Sequence, residues 1–394
     1  MSHYKPYPAY RDSGVKWIGQ VPEHWKKMPF KRVASICNGH DYKEVENADG
    51  AYPVIGSGGE FARASDFMFD GKSVLLGRKG TIDKPLYING PFWAVDTMFY
   101  TKIADNAFPK FVYYNALTIP FGLYSTNTAL PSMAGEDLSS HLIVAPDFEE
   151  QKAIATCVDR ETTRIDALIT KKTRFIELLK EKRQALITHA VTKGLNPNVA
   201  MKDSGVEWIG VVPAHWSVAI LKRFVVFQRG HDLPSDTRVE GTVPVVSSGG
   251  YSGTHNVAIA KAPGIVTGRY GSLGEFTFVE EDYWPLNTAL YSIELHNNDH
   301  RFVWYLLQNI SDLFLLYSAK AAVPGIDRND IHEIYVAAPQ HDEQRQIAKY
   351  LDEQCDRINA ITEKTQRSID LLKERRAAFI TAAVTGQIDL RESA

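Results

Sequence analysis

The sequence has 394 residues, which at roughly 100 to 200 residues per domain predicts two or more globular domains. With 44% hydrophobic and 23% charged residues, the chain can bury a sizeable core, and this composition excludes an intrinsically disordered protein. Lys and Arg number 44 against 47 Asp and Glu, so the net charge of -3 confines any basic surface to a local patch.

Three cysteines, Cys37, Cys157 and Cys355, are scattered through the chain without CxxC spacing. This pattern argues against a disulfide framework and against a zinc site. The first residues lack an apolar secretion signal, and no run of about 18 apolar residues occurs. We therefore expect a cytoplasmic protein with no membrane span.

The beginning of the chain returns in its second half. Residues 12–25, DSGVKWIGQVPEHW, align with residues 203–216, DSGVEWIGVVPAHW, at 11 of 14 identical positions and an offset of 191. The same offset pairs GHD at 39 with GHD at 230, GSGG at 56 with SSGG at 247, and GRKG at 77 with GRYG at 268. Between these matches the copies diverge, since residues 61–76 and 252–267 share none of 16 positions. The sequence thus predicts an internal tandem repeat in which one frame carries different inserts.

Residues 1–145 and 194–338 are predicted to be two globular domains. Both are rich in Gly, Pro, aromatic residues and short β-branched runs such as SVLLG and GIVTG, a texture typical of short strands with some helix. The fold class that we expect is therefore α+β, with two mixed domains.

The GRKG and GRYG turns are the strongest candidates for DNA contacts. Their glycines would present Arg78 with Lys79, and Arg269 with Tyr270, and the arginine fork fits guanine edges or phosphates. A solvated turn is the alternative.

Other polar residues are weaker DNA-binding candidates. Ser57 and Ser248, in GSGG and SSGG, would belong to phosphate-cradling loops, although hairpin turns are favoured there. The histidines of the GHD pairs would be a general base, a DNA contact or simple turn residues. Two Asn-Thr pairs fit adenine edges or phosphates, and turn or cap roles are equally open. These histidines and Asn-Thr pairs are His40, His231, Asn127, Thr128, Asn287 and Thr288. No catalytic motif and no metal site is found.

Residues 146–193 and 339–394 are predicted to form two long helices. Neither Gly nor Pro occurs from 149 to 192 or from 342 to 385, and apolar residues recur at helical spacing. A helix of about 44 residues would be roughly 65 Å long and needs a partner along its apolar stripe. We expect the two helices to pack against each other along a seam. The predicted seam residues are Ile154, Val158, Ile165, Leu168, Leu179, Ile347, Leu351, Ile358, Ile361 and Leu372.

The order of variable domain, long helix, variable domain and long helix resembles the specificity subunit of type I restriction-modification systems. The motif DSGVxWIGxVPxHW opening each copy, and (D/E)EQxxI at the start of each helix, add to this resemblance. It implies a non-catalytic DNA-binding subunit whose two target recognition domains each read half of a bipartite asymmetric site. The helices would form an antiparallel coiled coil with pseudo-two-fold symmetry, acting as spacer and docking surface.

The same resemblance implies the partners. Two methyltransferase subunits would bind S-adenosylmethionine, and restriction subunits would use ATP with Mg²⁺, so this chain would hold no cofactor itself. The main alternative is a scaffold, with two duplicated modules on a coiled-coil spacer recognising a protein or glycan. A second alternative is an intrinsic nuclease or methyltransferase.

Overall fold

The computed structural model describes residues 4–125, 131–318 and 325–391, with the backbone alone at 317 and 318. The chain forms two compact units, which we call unit 1 (Met1–Lys172 with Arg367–Ala394) and unit 2 (Thr173–Gln366). The border between the units divides both long helices. The units are therefore not the predicted domains, whose limits at 145, 193 and 338 stay predictions.

In its described residues, unit 1 has ten short strands and two short helices, followed by the long helix α3, which begins in unit 1 and ends in unit 2. The strands are β1 Tyr10–Asp12, β2 Gln20–Pro22, β3 Lys26–Pro29, β4 Ala34–Asn38, β5 Tyr52–Gly56, β6 Gly59–Ala64, β7 Phe69–Gly77, β8 Leu86–Ala94, β9 Met98–Ile103 and β10 Leu142–Ala145. The helices are α1 Pro109–Ala116, α2 Gly135–Ser140 and α3 Phe148–Lys193.

The central sheet of unit 1 has six strands in the order β4-β9-β7-β8-β5-β6. Neighbouring strands are antiparallel except β5 and β8, which run parallel at Val54 and Trp93. Side chains alternate along β7, so Val74 and Leu76 join one apolar cluster and Leu75 joins another. The sheet is consequently covered on both faces.

Among the described residues, unit 2 repeats this plan with more and generally shorter strands. Its strands are β11 Met201–Asp203, β12 Val211–Pro213, β13 Ser217–Ile220, β14 Val226–Arg229, β15 Val243–Ser247, β16 Gly250–His255, β17 Gly264–Gly268, β18 Phe276–Val279, β19 Trp284–Pro285, β20 Ala289–Glu294 and β21 Tyr335–Ala338. Its short helices are α4 His300–Asn309, α5 Ser311–Ser318 and α6 Arg328–His332, and they are followed by the long helix α7 His341–Val384, which begins in unit 2 and ends in unit 1.

The strands of unit 2 form a sheet in the order β14-β20-β17-β18 and a second in the order β16-β15-β19. Strands β15 and β19 run parallel at Val245 and Trp284, which are the 191-offset counterparts of the parallel pair in unit 1. The two short strands β18 and β19 stand where unit 1 has the single strand β8. The repeated frame is therefore kept while the divergent inserts alter the sheet. This α+β architecture confirms the predicted fold class.

The two long helices pack against each other within each unit. In unit 1, Ile154 near the start of α3 shares a core cluster with Ile380 near the end of α7. In unit 2, Ile187 near the end of α3 shares a cluster with Ile347 near the start of α7. The pairing is antiparallel, as predicted, and an ion pair of 2.9 Å between Asp166 and Arg376 reinforces it in unit 1.

Two predicted seam positions are wrong. Leu168 and Ile361 are 41% and 43% exposed, whereas the half-buried residues next to them are Ile169 and Thr362. The buried row takes alternating steps of three and four residues, and one residue of error rotates a side chain by about 100° around the helix. The remaining predicted positions are buried, or half-buried at Leu372: Ile154, Val158, Ile165, Leu179, Ile347, Leu351, Ile358 and Leu372.

The repeated PxHW motif holds the start of each long helix. In unit 1, the carboxylate of Glu150 accepts hydrogen bonds from Trp25 Nε1 at 3.1 Å and from the Tyr7 hydroxyl at 2.8 Å. The second oxygen of Glu150 lies 2.8 Å from His24 Nε2. Burial and the hydrogen bond to Glu150 raise the pKa of the Tyr7 hydroxyl, which keeps it the donor. The contact with Glu150 gives His24 a structural role.

The same clamp is found in unit 2. There the carboxylate of Glu343 accepts a hydrogen bond from Trp216 Nε1 at 3.2 Å and lies 2.7 Å from His215 Nε2. In both units an acidic side chain in the first turn also meets the partial positive charge of the helix N-terminus. The His-Trp end of the repeated motif therefore attaches each copy to its long helix in the same way.

A second repeated contact ties a short helix to each long one. Asp159 on α3 accepts a hydrogen bond from Tyr114 on α1 and pairs with Lys110 at 2.8 Å. In unit 2, Asp352 on α7 accepts hydrogen bonds from Tyr305 and Arg301, each at 2.7 Å. These contacts join residues about 50 positions apart and attach each short helix to its long helix.

Replacement of Glu150 by alanine should destabilise unit 1. The side chain of Glu150 is 7% exposed, so its loss leaves the indole and phenol donors buried without an acceptor. At 1 to 3 kcal/mol per orphaned donor, we expect a loss of about 3 kcal/mol in the free energy of unfolding. Thermal and urea unfolding of the purified chain would measure it.

The matched control is Glu343→Ala. The side chain of Glu343 is 32% exposed, so water can replace part of the lost contact and the loss should be smaller, about 1 kcal/mol. Equal losses for the two variants would contradict this account of the clamp.

Candidate nucleic-acid interface

The GRxG turns follow the inner strands β7 and β17 of the two sheets. A Cβ atom on Gly77 would lie 2.3 Å from the carbonyl oxygen of Thr81, and one on Gly268 would lie 2.2 Å from that of Ser272. The last glycines, Gly80 and Gly271, have φ of +83° and +81°. Since these positions reject a side chain for steric or conformational reasons, both glycines of each motif are required by the turn.

Backbone hydrogen bonds fix the middle of each turn. In unit 1, the amide groups of Arg78 and Lys79 donate to the carbonyl oxygen of Thr97 at 2.8 and 3.2 Å. In unit 2, the amides of Arg269 and Tyr270 donate to Thr288 at 2.9 and 3.4 Å. Thr288 therefore supports the turn through its carbonyl oxygen, whatever its side chain binds.

The side chains in the middle of the turns differ between the copies. The Arg78 guanidinium lies 5.9 Å from the Phe99 ring and donates to the carbonyl oxygen of Asp96 at 3.3 Å. The Arg269 guanidinium lies 4.7 Å from the ring of Tyr270, which is 40% exposed. Both arginines are half-buried, and Lys79 is exposed.

The serine turns lie beside the GRxG turns. Ser57 is in the hairpin turn between β5 and β6, and its Oγ lies 3.6 Å from where a Cβ on Gly80 would be. Ser248, between β15 and β16, is 3.8 Å from the same point on Gly271. Each unit thus brings its serine turn and its arginine turn together, although the two are more than 20 positions apart in sequence.

The GHD histidines come close to the same region. The amide of His40 donates to the carbonyl oxygen of Ala94 at 2.9 Å, and that of His231 donates to Pro285 at 2.8 Å. Both side chains are exposed, and His231 Nε2 lies 3.3 Å from the Tyr291 hydroxyl. Their exposure leaves both rings available to a ligand.

The structure describes the second of the two Asn-Thr pairs and not the first. Asn127 and Thr128 lie outside the described residues. The side chain of Asn287 donates to Asp232, next to His231.

The repeat identifies two further residues that the sequence motifs did not single out. The counterparts of Asn287 and Thr288 at an offset of 191 are Asp96 and Thr97, and Asp96 is exposed beside the arginine turn. The alignment of residues 92–100 with 283–291 could have indicated them.

Within the described ranges, no group of three or more His, Cys, Asp or Glu side chains is arranged to bind a metal ion. None of the helices in those ranges has the length and apolarity needed to cross a membrane.

Each unit therefore carries the same group of exposed turns on one frame, with different side chains on it, as expected of a duplicated recognition protein. A family model described as the type I restriction modification DNA specificity domain matches residues 22–178 and 214–371. The chain belongs to this family, which confirms the resemblance seen in its sequence.

Known relatives agree with this family. The type I restriction enzyme EcoBI specificity subunit of Escherichia coli is 19% identical over 423 residues, covering 96% of this chain and 89% of that protein. The HsdS subunit from Thermoanaerobacter tengcongensis has a TM-score of 0.52 at 14% identity, with 96% of this chain and 100% of that chain covered. A chain from a study of complex assembly and conformational transition of the type I R-M system has a TM-score of 0.73 at 13% identity, covering 93% and 99% of the two chains. At these identities the solved structures show the fold alone.

Proposed function

We propose that this chain is the DNA-reading subunit of a type I restriction-modification complex. Each recognition domain reads one half of a bipartite, asymmetric site in duplex DNA. The two long helices set the spacing between the half-sites and dock two methyltransferase subunits.

The observation that carries this proposal is the pair of equivalent arginine turns with unlike neighbours. Arg78 and Arg269 stand at the same place in the repeat, and arginine is the side chain that most often forks onto a guanine edge. The residues beside them differ, Lys79 in one copy and Tyr270 in the other. A shared frame with different contact residues suits two different half-sites.

The chemistry of the reaction belongs to the partners in this proposal. Methyltransferase subunits bind S-adenosylmethionine and methylate adenine, and restriction subunits use ATP with Mg²⁺, while this chain itself is non-catalytic. The three cysteines are all free, which supports a cytoplasmic location for the complex.

Replacing Arg78 or Arg269 by alanine should affect one half-site each. If the contact with guanine is bidentate, we expect a loss of about 1 to 3 kcal/mol in binding and a relaxed base preference at one position. Genome-wide mapping of methylated adenines, in a host carrying the variant and its methyltransferase, would identify the altered half.

Arg32→Ala and Arg223→Ala are matched controls, because these exposed arginines stand at equivalent places outside the turns. An unaltered motif and affinity for both turn variants would remove Arg78 and Arg269 from the interface. A wild-type complex that bound no DNA would instead favour the non-DNA scaffold.

A further inference from the structure

Unit 2 contains a cleft of about 550 Å³ that three arginines line from three different elements. Arg229 ends strand β14, Arg269 lies in the GRYG turn after β17, and Arg328 begins helix α6. Arg229 and Arg328 are exposed. Neither was identified in the sequence, because the two are separated by about 100 positions.

Buried contacts hold these elements together beneath the cleft. The amide of Phe227 on β14 donates to Nε2 of the buried His332 on α6 at 2.9 Å, and the amide of Ile326 donates to the carbonyl oxygen of Arg269 at 3.0 Å. The position of a Cβ on Gly325 would lie 2.6 Å from the Tyr270 ring, so the chain before α6 packs tightly on the turn. The arginines are therefore presented by a fixed backbone.

The positive charges of the cleft are poorly compensated. Among the residues that the structure describes, none of the three arginines has an ion-pair partner, and Arg269 only covers the Tyr270 ring. The carboxylate of Asp327 also lines the cleft and caps α6, accepting from the amide of Asn329 at 2.8 Å, so it offsets one of the three positive charges and leaves an excess of positive charge. Burial, then the charges of Lys222 and Arg328, lower the pKa of His332, and the neutral ring accepts the hydrogen bond described above.

In the described part of unit 1, the positions equivalent to Arg229 and Arg328 carry no charge. The counterpart of Arg229 is Asn38, at the end of the equivalent strand β4. The amide of Met133 donates to the carbonyl oxygen of Arg78, as the amide of Ile326 donates to that of Arg269. Met133 and Ile326 are therefore equivalent, and two residues further along the chain Gly135 is the counterpart of Arg328. The cleft is thus a property of the second recognition domain.

Three guanidinium groups lining one cleft repel one another unless an anion lies between them. A base edge offers partial charges and accommodates one arginine fork, whereas a phosphate brings a full negative charge and accepts several charge-assisted hydrogen bonds. We propose that Arg229 and Arg328 bind a phosphate of the DNA backbone beside Arg269, an assignment that rests on the proposed function. These two residues hold the duplex in place and carry no base preference of their own.

The test uses the complete complex of this subunit with its methyltransferase. Its affinity is measured for a duplex carrying the mapped site and for one lacking it, at several salt concentrations. Arg229→Ala and Arg328→Ala are compared with Arg229→Lys and Arg328→Lys, and with the exposed control Arg223→Ala. Each alanine variant should lower the affinity for both duplexes by a similar factor, roughly tenfold. Its plot of log affinity against log salt should be less steep by about one, while the lysine variants keep the wild-type slope.

Three results would overturn the assignment. Affinity and slope equal to those of Arg223→Ala would mean that the cleft contacts no phosphate. A changed methylated motif with an unaltered slope would make the arginines base readers. If the wild-type complex bound neither duplex, the proposed function itself would fail. If the wild-type complex and the cleft variants all bound DNA equally well, only the assignment of the cleft would fail.

Discussion

Exchanging residues 30–141 for the corresponding segment of a related specificity subunit should change one half of the methylated motif and leave the other half unaltered. The segment is closed by a hydrogen bond of 2.8 Å from the amide of Phe30 to the carbonyl oxygen of His141. The residues that clamp the long helix, Trp25 and Glu150, lie outside it. The inserted segment therefore brings new contact turns while the clamp of Trp25 and Glu150 is kept. The donor segment should retain a lysine and a tyrosine at the positions of Lys110 and Tyr114, which contact Asp159. Mapping of methylated adenines would show the new motif.

The reciprocal exchange is a matched control. In unit 2 the same border is marked by a hydrogen bond of 2.7 Å from the amide of Leu221 to the carbonyl oxygen of Ile334. Exchanging residues 221–334 should change the half-site that the first exchange leaves intact. If either exchange altered both halves, independent reading by the two domains would be refuted.

The long helices and the duplicated frame could be predicted from the sequence because both leave local signals. Long stretches without Gly or Pro, with apolar residues at helical spacing, predicted the two long helices, which the structure has at Phe148–Lys193 and His341–Val384. The prediction of the seam residues was less accurate. Leu168 and Ile361 are apolar and one position from the buried row, and composition alone does not distinguish them from Ile169 and Thr362.

Contacts between distant segments could not be predicted. Trp25 and Glu150 are 125 positions apart, and only the fold shows that the repeated tryptophan and the repeated glutamate bind each other. Likewise, Arg229 and Arg328 line one cleft only because β14 packs on α6. The arginine turns were recognisable because Gly-Arg-x-Gly is a local pattern, and its two glycines each meet a steric or φ requirement of that turn.

Lengthening both long helices by seven residues should increase the distance between the half-sites. Suitable insertion points are after Lys172 in α3 and after Gln366 in α7, because these are the places where the helices pass from one unit to the other. Each unit then keeps its own packing. Seven residues restore the apolar stripe, since the seam repeats every 3.5 residues.

The expected change can be calculated from helix and DNA geometry. Seven residues lengthen a helix by about 10 Å at 1.5 Å per residue. At about 3.4 Å per base pair, this corresponds to roughly three more pairs between the half-sites. Three pairs also rotate the DNA by about 100°, given about 10.5 pairs per turn. Some activity should therefore be lost unless the DNA or the methyltransferase subunits absorb the twist.

The motif that the double-insertion variant methylates shows whether the length of the helices sets the distance between the half-sites. We expect both half-sites to be unchanged in sequence and separated by about three more pairs. Seven residues inserted in α3 alone form the control, because they have no partner along the seam and should lower stability without defining a new spacing. Methylation by the double variant at the original spacing would show that the helices do not set the distance. The methyltransferase subunits would then have to fix the spacer, and the long helices would serve only to attach the two domains.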